Sequence, residues 1–91
     1  MELSDWRDKI DAVDQKLVRL LNERARSVLA LVPLKKRARI PIYEPQREEQ
    51  IFQNIAAHNG GPLTAEALRR IFERIIDEMR SIQRERSGPR P

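Results

Sequence analysis

The sequence contains no cysteine, three glycines and few aromatic residues, which make up 4% of its 91 residues. Without cysteine, neither a disulfide framework, nor thiol catalysis, nor a thiolate metal site is available. The scarcity of aromatic side chains argues against the stacking platforms that bind single-stranded nucleic acid. No apolar run approaches the roughly 18 residues of a membrane span, and the N-terminus lacks a signal-peptide pattern, so a cytoplasmic protein is expected.

Charged residues are abundant: 18 Lys and Arg against 14 Asp and Glu give a net charge of +4. This charge would attract nucleic acid, an anionic membrane or a small anionic ligand, and it does not by itself choose among them. A single chain of this length buries only about 60 to 65% of its unfolded surface, so its own core is marginal. Oligomerisation is therefore expected.

The spacing of apolar residues predicts an all-α fold of three helices: one long, one short and one of medium length. The long helix is expected from Trp6 to about Leu34, with Ser4 or Asp5 as its N-cap. Pro33 breaks the rule that helix interiors exclude proline. Two outcomes are open: the helix bends at Pro33 and continues, or it ends just before this residue and a separate turn begins.

Turn residues delimit the other two helices. Pro45 is the expected first residue of the short helix, which stops at residues 58–62, His-Asn-Gly-Gly-Pro. Thr64 is the expected N-cap of the third helix. Residues 1–86 form the predicted domain, and residues 87–91 a flexible tail or linker stub.

Three cations lie on the apolar seam of the long helix, which consists of two sevenfold series of the coiled-coil type: Arg7 and Lys35 in one series and Arg24 in the other. A buried cation needs a carboxylate from the protein or from a ligand. Taken alone, Arg7 and Lys35 fit a salt bridge or a side chain that reaches solvent. Arg24, in mid-helix, indicates a functional role.

The other two helices repeat this anomaly. Glu48 lies one turn before Ile51 on the apolar side of the short helix, and Arg47 is beside it. Gln83 stands one turn beyond Met79 on the apolar face of the third helix, where a buried amide needs a partner. A near-terminal glutamine that reaches water is an equal alternative at this point.

The distances along the long helix indicate a dimer. Arg7 and Arg24 are 17 residues apart, which is about 25 Å at 1.5 Å per residue and too far to bind one small molecule. Arg24 and Lys35 are about 16 Å apart, which two long side chains can span. An antiparallel pairing of two copies would bring Arg7 of one chain near Arg24 and Lys35 of the other and would bury the seam.

In this order and spacing, the residues resemble the all-helical chorismate mutases over residues 6 to 83 or so. The most specific part is Lys35, followed six residues later by Pro41-Ile42-Tyr43 and then by Pro45 and Arg47-Glu48. Arg24 stands eleven residues ahead of Lys35. One such piece is weak evidence, whereas the ordered set is strong.

The resemblance implies an intertwined homodimer in which helix one crosses to the partner. Each of its two sites would be lined by three helices of one chain and by Arg7 from the partner chain. Arg7 and Arg24 would bind the two carboxylates of the substrate, and Arg47 would brace the site. A small polar residue is usual in the family where this sequence has Met79, and a helix-compatible one such as glycine where it has Pro33.

The resemblance further implies that Lys35 and Gln83 address the ether oxygen of the substrate, while Glu48 with Glu44 hold its ring hydroxyl region. The expected catalytic residues are Lys35, Gln83, Arg24 and Glu48, and Met79 adjoins them as a substrate-binding position. Fixed donors at a breaking C–O bond are the parts that the family's reaction requires.

The implied activity is the pericyclic Claisen rearrangement of chorismate to prephenate, an isomerase reaction of phenylalanine and tyrosine biosynthesis in the shikimate pathway. It needs no cofactor and no metal, and no nucleic acid or membrane partner is expected. The open alternatives are a 4-amino-4-deoxychorismate mutase, an isochorismate-pyruvate lyase, a basic helical dimer that binds nucleic acid, and an inactive regulatory subunit. Fusion or association with another shikimate-pathway enzyme is also open.

Overall fold

The computed structural model describes residues 1–88, which form three α-helices and no β-strand. The helices are α1 (Leu3–Ala38), α2 (Pro45–Ala57) and α3 (Ala65–Arg86). The predicted all-α fold with one long, one short and one medium helix is confirmed. The predicted tail begins at Ser87, directly after α3, and its last three residues lie outside the described part of the chain.

Helix α1 begins earlier than the sequence predicted, and its cap is different. Glu2 is the N-cap, and its backbone N–H donates to Oδ2 of Asp5 at 2.8 Å. The prediction of Ser4 or Asp5 as the N-cap is therefore wrong. Asp5 instead acts from the third helical position, where a carboxylate also suits the positive end of the helix dipole.

Helix α1 also continues beyond the predicted end near Leu34. It passes through Pro33 without interruption and ends at Ala38, so the alternative of a separate turn at Pro33 is wrong. Basic residues in the last turn suit the negative end of the dipole. Arg39 then terminates the helix in the left-handed conformation, with φ of 57°, and its N–H donates to the Lys36 carbonyl at 3.3 Å.

The predicted boundaries of the other helices are confirmed. Pro45 is the first residue of α2, which ends before His58. The Thr64 hydroxyl accepts a hydrogen bond from the Ala67 N–H at 3.1 Å and caps α3. Proline fits the first turn of a helix because its missing N–H would be unpaired there.

Helix α3 packs against both α1 and α2 and forms the centre of the fold. The buried residues in the described part of the chain are Val32, Ile76, Met79 and Gln83. In contrast, residues 1–23 are all exposed, so more than half of α1 extends beyond the other helices and gives the chain a length of 57 Å. No helix in residues 1–88 combines the length and apolarity needed to cross a membrane.

Candidate functional site

A cavity of about 430 Å³ opens between the C-terminal half of α1, the turn after it, and the facing sides of α2 and α3. Its volume lies in the usual range for small-molecule sites. The polar residues that the sequence predicted for the site contribute to its lining: Arg24, Lys35, Glu44, Arg47, Glu48 and Gln83. Three helices and a turn thus bring side chains that are up to 59 residues apart in sequence to one place.

The remainder of the cavity wall is apolar. It consists of Met79 and of eight further side chains: Val28, Leu31, Leu34, Ala38, Ile40, Ile42, Ile51 and Ile76. Met79 is 8% exposed, and its thioether offers a ligand no hydrogen-bond donor. An apolar wall excludes water and strengthens every charge interaction inside the cavity.

Two guanidinium groups at the cavity, those of Arg24 and Arg47, have no carboxylate of their own. No salt bridge within residues 1–88 involves either side chain; Arg47 makes one long hydrogen bond, 3.5 Å, to the Gln50 amide oxygen. Burial, and to a lesser degree the positive charge of Arg47, lowers the pKa of Arg24 below its ordinary value. Two unpaired cations at one cavity make it receptive to an anion.

Lys35 and Gln83 form a fixed pair of donors on the opposite helices α1 and α3. The Lys35 ammonium donates to Oε1 of Gln83 at 3.2 Å, and the Gln83 amide N–H donates to the Met79 carbonyl at 3.2 Å. Gln83 is only 5% exposed. Because the amide oxygen faces the ammonium, the orientation of the amide is set, and its second N–H remains for a ligand. Gln83 is therefore not a helix-end glutamine that reaches water, and that alternative prediction is wrong.

Two carboxylates complete the polar lining. Glu44, the N-cap residue of α2, lies 3.7 Å from the Lys35 ammonium. Glu48 lies in the first turn of α2, where the helix dipole favours a negative charge. Its Oε2 is 3.4 Å from Nε of Arg80. Both carboxylates are largely buried, with 29% and 18% of their side chains exposed.

Arg80 is a residue near the site that the sequence did not predict. It pairs with Glu48 and with Asp77, and its guanidinium lies 5.2 Å from the centre of the Tyr43 ring. In the sequence Arg80 follows Met79 and precedes Gln83 by three residues, at the edge of the apolar face of α3. That placement is a weak signal, because a cation at the edge of an apolar face is typical of an exposed side chain.

Arg7 lies outside the cavity of its own chain. It is on the exposed part of α1, 17 residues before Arg24 on the same unbroken helix, which separates the two by about 25 Å along its axis. One chain therefore does not bring all of the predicted side chains together, in agreement with the 17-residue separation of Arg7 and Arg24 in the sequence.

The arrangement suits a small ligand with two negative charges and a hydroxyl group. Guanidinium groups bind carboxylates with two parallel hydrogen bonds, carboxylates accept from hydroxyls, and a fixed ammonium and amide stabilise negative charge that develops on an oxygen. The side chains that line the cavity are thus suited to binding an anion and stabilising its charge.

Known proteins share both this sequence and this fold. The chorismate mutase type II family matches residues 6–84. A bifunctional chorismate mutase/prephenate dehydratase of Aquifex aeolicus is 38% identical over 87 residues, which is 91% of this chain and 24% of that protein. The chain thus spans about a quarter of the length of the bifunctional relatives that it matches.

Solved structures agree with the sequence match. A chorismate mutase (form II) from Thermus thermophilus has a TM-score of 0.87 and 30% identity, covering 90% of this chain and 93% of that one. A Helicobacter pylori chorismate mutase in complex with prephenate has a TM-score of 0.87 and 27% identity, covering 98% and 97%. With the match over residues 6–84, these findings establish that the chain belongs to the type II, all-helical chorismate mutase family.

Proposed function

We propose that this chain is a chorismate mutase that converts chorismate to prephenate. The observation that carries the proposal is the convergence of Arg24, Arg47, Lys35 and Gln83 on one apolar-walled cavity. Family membership and the prephenate complex of the Helicobacter pylori relative support it. The reaction is an isomerisation of one substrate and takes place without a cofactor.

The chemistry demands a binding pocket more than it demands reactive groups. In the pericyclic step the ether C–O bond breaks while a C–C bond forms, and no proton is transferred. The protein must hold the enolpyruvyl arm over the ring and stabilise the negative charge that grows on the ether oxygen. In this chain Arg24 binds a carboxylate of the substrate, and Arg47 braces the site. Glu44 and Glu48 accept hydrogen bonds from the ring hydroxyl.

Lys35 and Gln83 act on the ether oxygen. Their hydrogen bond at 3.2 Å holds both donors in place before the substrate enters, so little reorganisation is needed as the charge develops. Interactions that strengthen only in the transition state raise turnover more than they raise binding. The pair therefore contributes mainly to kcat.

The decisive experiment measures the loss of chorismate absorbance and identifies the product by chromatography. Wild-type protein is expected to form prephenate. Lys35→Ala should lower kcat by about 10² to 10³, the usual effect of removing one such donor. Lys36→Ala is the matched control, since the side chain of this exposed neighbour makes a single hydrogen bond among the described residues, to the Ser87 carbonyl at 3.4 Å. No prephenate from a folded wild-type dimer, or an intact kcat in Lys35→Ala, would contradict the proposal.

The same assay separates the related activities. Isochorismate and 4-amino-4-deoxychorismate are offered in parallel, and pyruvate release would identify a lyase. Salt-dependent binding to duplex DNA, with no turnover, would favour the nucleic-acid alternative. The bifunctional names of the Aquifex aeolicus and Neisseria gonorrhoeae relatives support association of this domain, residues 1–86, with an enzyme that consumes prephenate.

We also propose that the active form is an intertwined homodimer in which α1 crosses to the partner. The exposed part of α1 carries an apolar seam in which Trp6 is 49%, Ile10 58% and Leu17 50% exposed. A lone helix of this kind gains little stability without a surface to cover its apolar side. A second copy of α1 covers the seam and brings Arg7 into the site of its partner, where it binds the second substrate carboxylate.

Mixing variants tests the shared site. Arg7→Ala and Arg24→Ala homodimers each lack one carboxylate-binding group in both sites. A heterodimer of the two carries one site with both groups intact, so activity should rise toward a quarter of the wild-type value when subunits exchange at equal concentrations. Absence of recovery after exchange, with exchange verified by mass spectrometry, would contradict this architecture.

A further inference from the structure

The guanidinium of Arg80 connects three parts of the fold. Its Nε lies 3.4 Å from Oε2 of Glu48 on α2, and it pairs with Asp77 on its own helix. It also lies 5.2 Å from the centre of the Tyr43 ring in the turn after α1. The side chain is only 23% exposed, and its Nε is buried without a hydrogen bond. Arg80 is thus a largely desolvated cation that forms an ion pair with Glu48.

Glu48 stands in a wall between two cavities. On one side is the main cavity, whose lining includes Arg24 and Arg47, the two arginines that form no salt bridge within residues 1–88. On the other side is a cleft of about 250 Å³, whose lining includes Arg80, Asp77 and Glu48 itself. Arg80 contributes to the lining of the cleft and not to that of the main cavity. It therefore holds Glu48 from behind, on the side away from the ligand.

The restraint has a physical reason. Within residues 1–88, Glu48 forms a single salt bridge, the one to Arg80. A glutamate side chain has three rotatable bonds, and Glu48 faces a cavity that Arg24, Arg47 and Lys35 also line. If Glu48 were released, its carboxylate would be drawn to these cations, and it would compete with an anionic ligand for them.

We propose that Arg80 is a positioning residue that holds the Glu48 carboxylate at the cavity wall and so keeps the Arg24 and Arg47 guanidinium groups available to the substrate. The inference rests on the proposed function, because the competition matters only if the cavity binds an anion.

A double-mutant cycle tests the proposal. Arg80→Gln should lower kcat/KM about tenfold or more, mainly through a higher KM, because Glu48 then competes with the substrate. In the Glu48→Gln background no such carboxylate exists, so adding Arg80→Gln should change kcat/KM less than about twofold. Arg74→Gln is the control for loss of one charge from α3, since Arg74 is 77% exposed and, within residues 1–88, pairs only with Glu78.

An equal loss from Arg80→Gln in both backgrounds would overturn the proposal, because it would assign Arg80 a purely structural role. A kcat/KM indistinguishable from wild type in Arg80→Gln would do the same. Should Arg80→Gln fail to fold, Arg80→Lys keeps the charge without the fork and should show a smaller, Glu48-dependent loss of about threefold. Wild-type turnover alone decides the proposed function, whereas the ratios between variants decide the role of Arg80.

Discussion

Arg24 should stabilise the complex with the ligand and destabilise the ligand-free protein. Both effects can be measured as changes in the free energy of unfolding. Its guanidinium is partly buried, has no salt bridge among the described residues and lies near Arg47, so burial and this second cation lower its pKa. Arg24→Met removes the charge and keeps an unbranched stem that continues to pack on α1. The free protein should therefore become more stable, and activity should be lost.

The expected gain in the free energy of unfolding is about 1 kcal/mol, a usual value for a stabilising substitution at a functional site. The Arg24 side chain is only partly buried, so solvent screening argues against a larger value. For a domain of this size, 1 kcal/mol raises Tm by about 4 to 8 °C. Calorimetry at one fixed protein concentration measures it, since a dimer has a concentration-dependent Tm. Arg26→Met is the matched control, an exposed arginine two residues away, with an expected change within about 0.5 kcal/mol.

The sign of the pH dependence follows from the direction of the shift. A base whose pKa is lowered by folding is disfavoured in its charged form, so its charge destabilises the protein at every pH below the folded pKa. That destabilisation disappears only as the pH rises through the lowered pKa of Arg24, and arginine side chains stay protonated across the neutral range. Across the neutral pH range the difference in Tm between Arg24→Met and wild type should therefore be constant.

Ligand binding should reverse the order of stability. Prephenate at about 100 times its Kd should stabilise the wild-type protein by about 2.7 kcal/mol and leave Arg24→Met almost unchanged. A fall of several degrees in the Tm of ligand-free Arg24→Met would refute the reasoning, because it would mean that Arg24 makes a favourable contact in the free protein.

Two further predictions concern helices α1 and α3. In Gln83→Glu, activity should rise as the pH falls, because only the protonated acid donates to the ether oxygen; burial favours that acid and Lys35, 3.2 Å away, favours the carboxylate. A flat profile down to the pH of unfolding would remove Gln83 from this role. Pro33→Ala should raise Tm, because α1 continues through this residue and the Leu29 carbonyl regains its helical donor, worth up to about 3 kcal/mol. An unchanged or lower Tm in a melting experiment would show that packing at Pro33 outweighs the lost hydrogen bond.

The parts of the fold that local chemistry determines were predictable from the sequence. Pro45 and Thr64 define the starts of α2 and α3 because each fits only a narrow set of helix positions. The ends of α1 were less predictable. Ser4 and Asp5 both fit an N-cap, and the choice of Glu2 depends on a backbone conformation that no residue type enforces. The end at Arg39 uses a left-handed residue that is not glycine, so the sequence carries no signal for it.

The candidate site shows the same division. Arg24 was found because a charged group at the centre of an apolar face is costly without a partner. Lys35 and Gln83 had equally simple alternatives when taken alone, and the ordered motif of the family predicted their roles. Arg80 was missed because its importance comes from Glu48 and Tyr43, which lie on other segments and are brought to it only by the packing of α3. A residue at the edge of an apolar face gives no such warning, and only tertiary structure distinguishes an anchored arginine from a solvated one.

Three of the four buried side chains in residues 1–88, Ile76, Met79 and Gln83, also line the cavity, so within one chain the hydrophobic interior and the ligand site are the same place. In larger enzymes a site rests on a separate core, and substitutions in the two regions are selected independently. Here a substitution that repacks the interior also reshapes the binding surface. Adaptation of this protein to a new temperature should therefore change its substrate preference as a by-product, and selection for a new substrate should change its thermal tolerance.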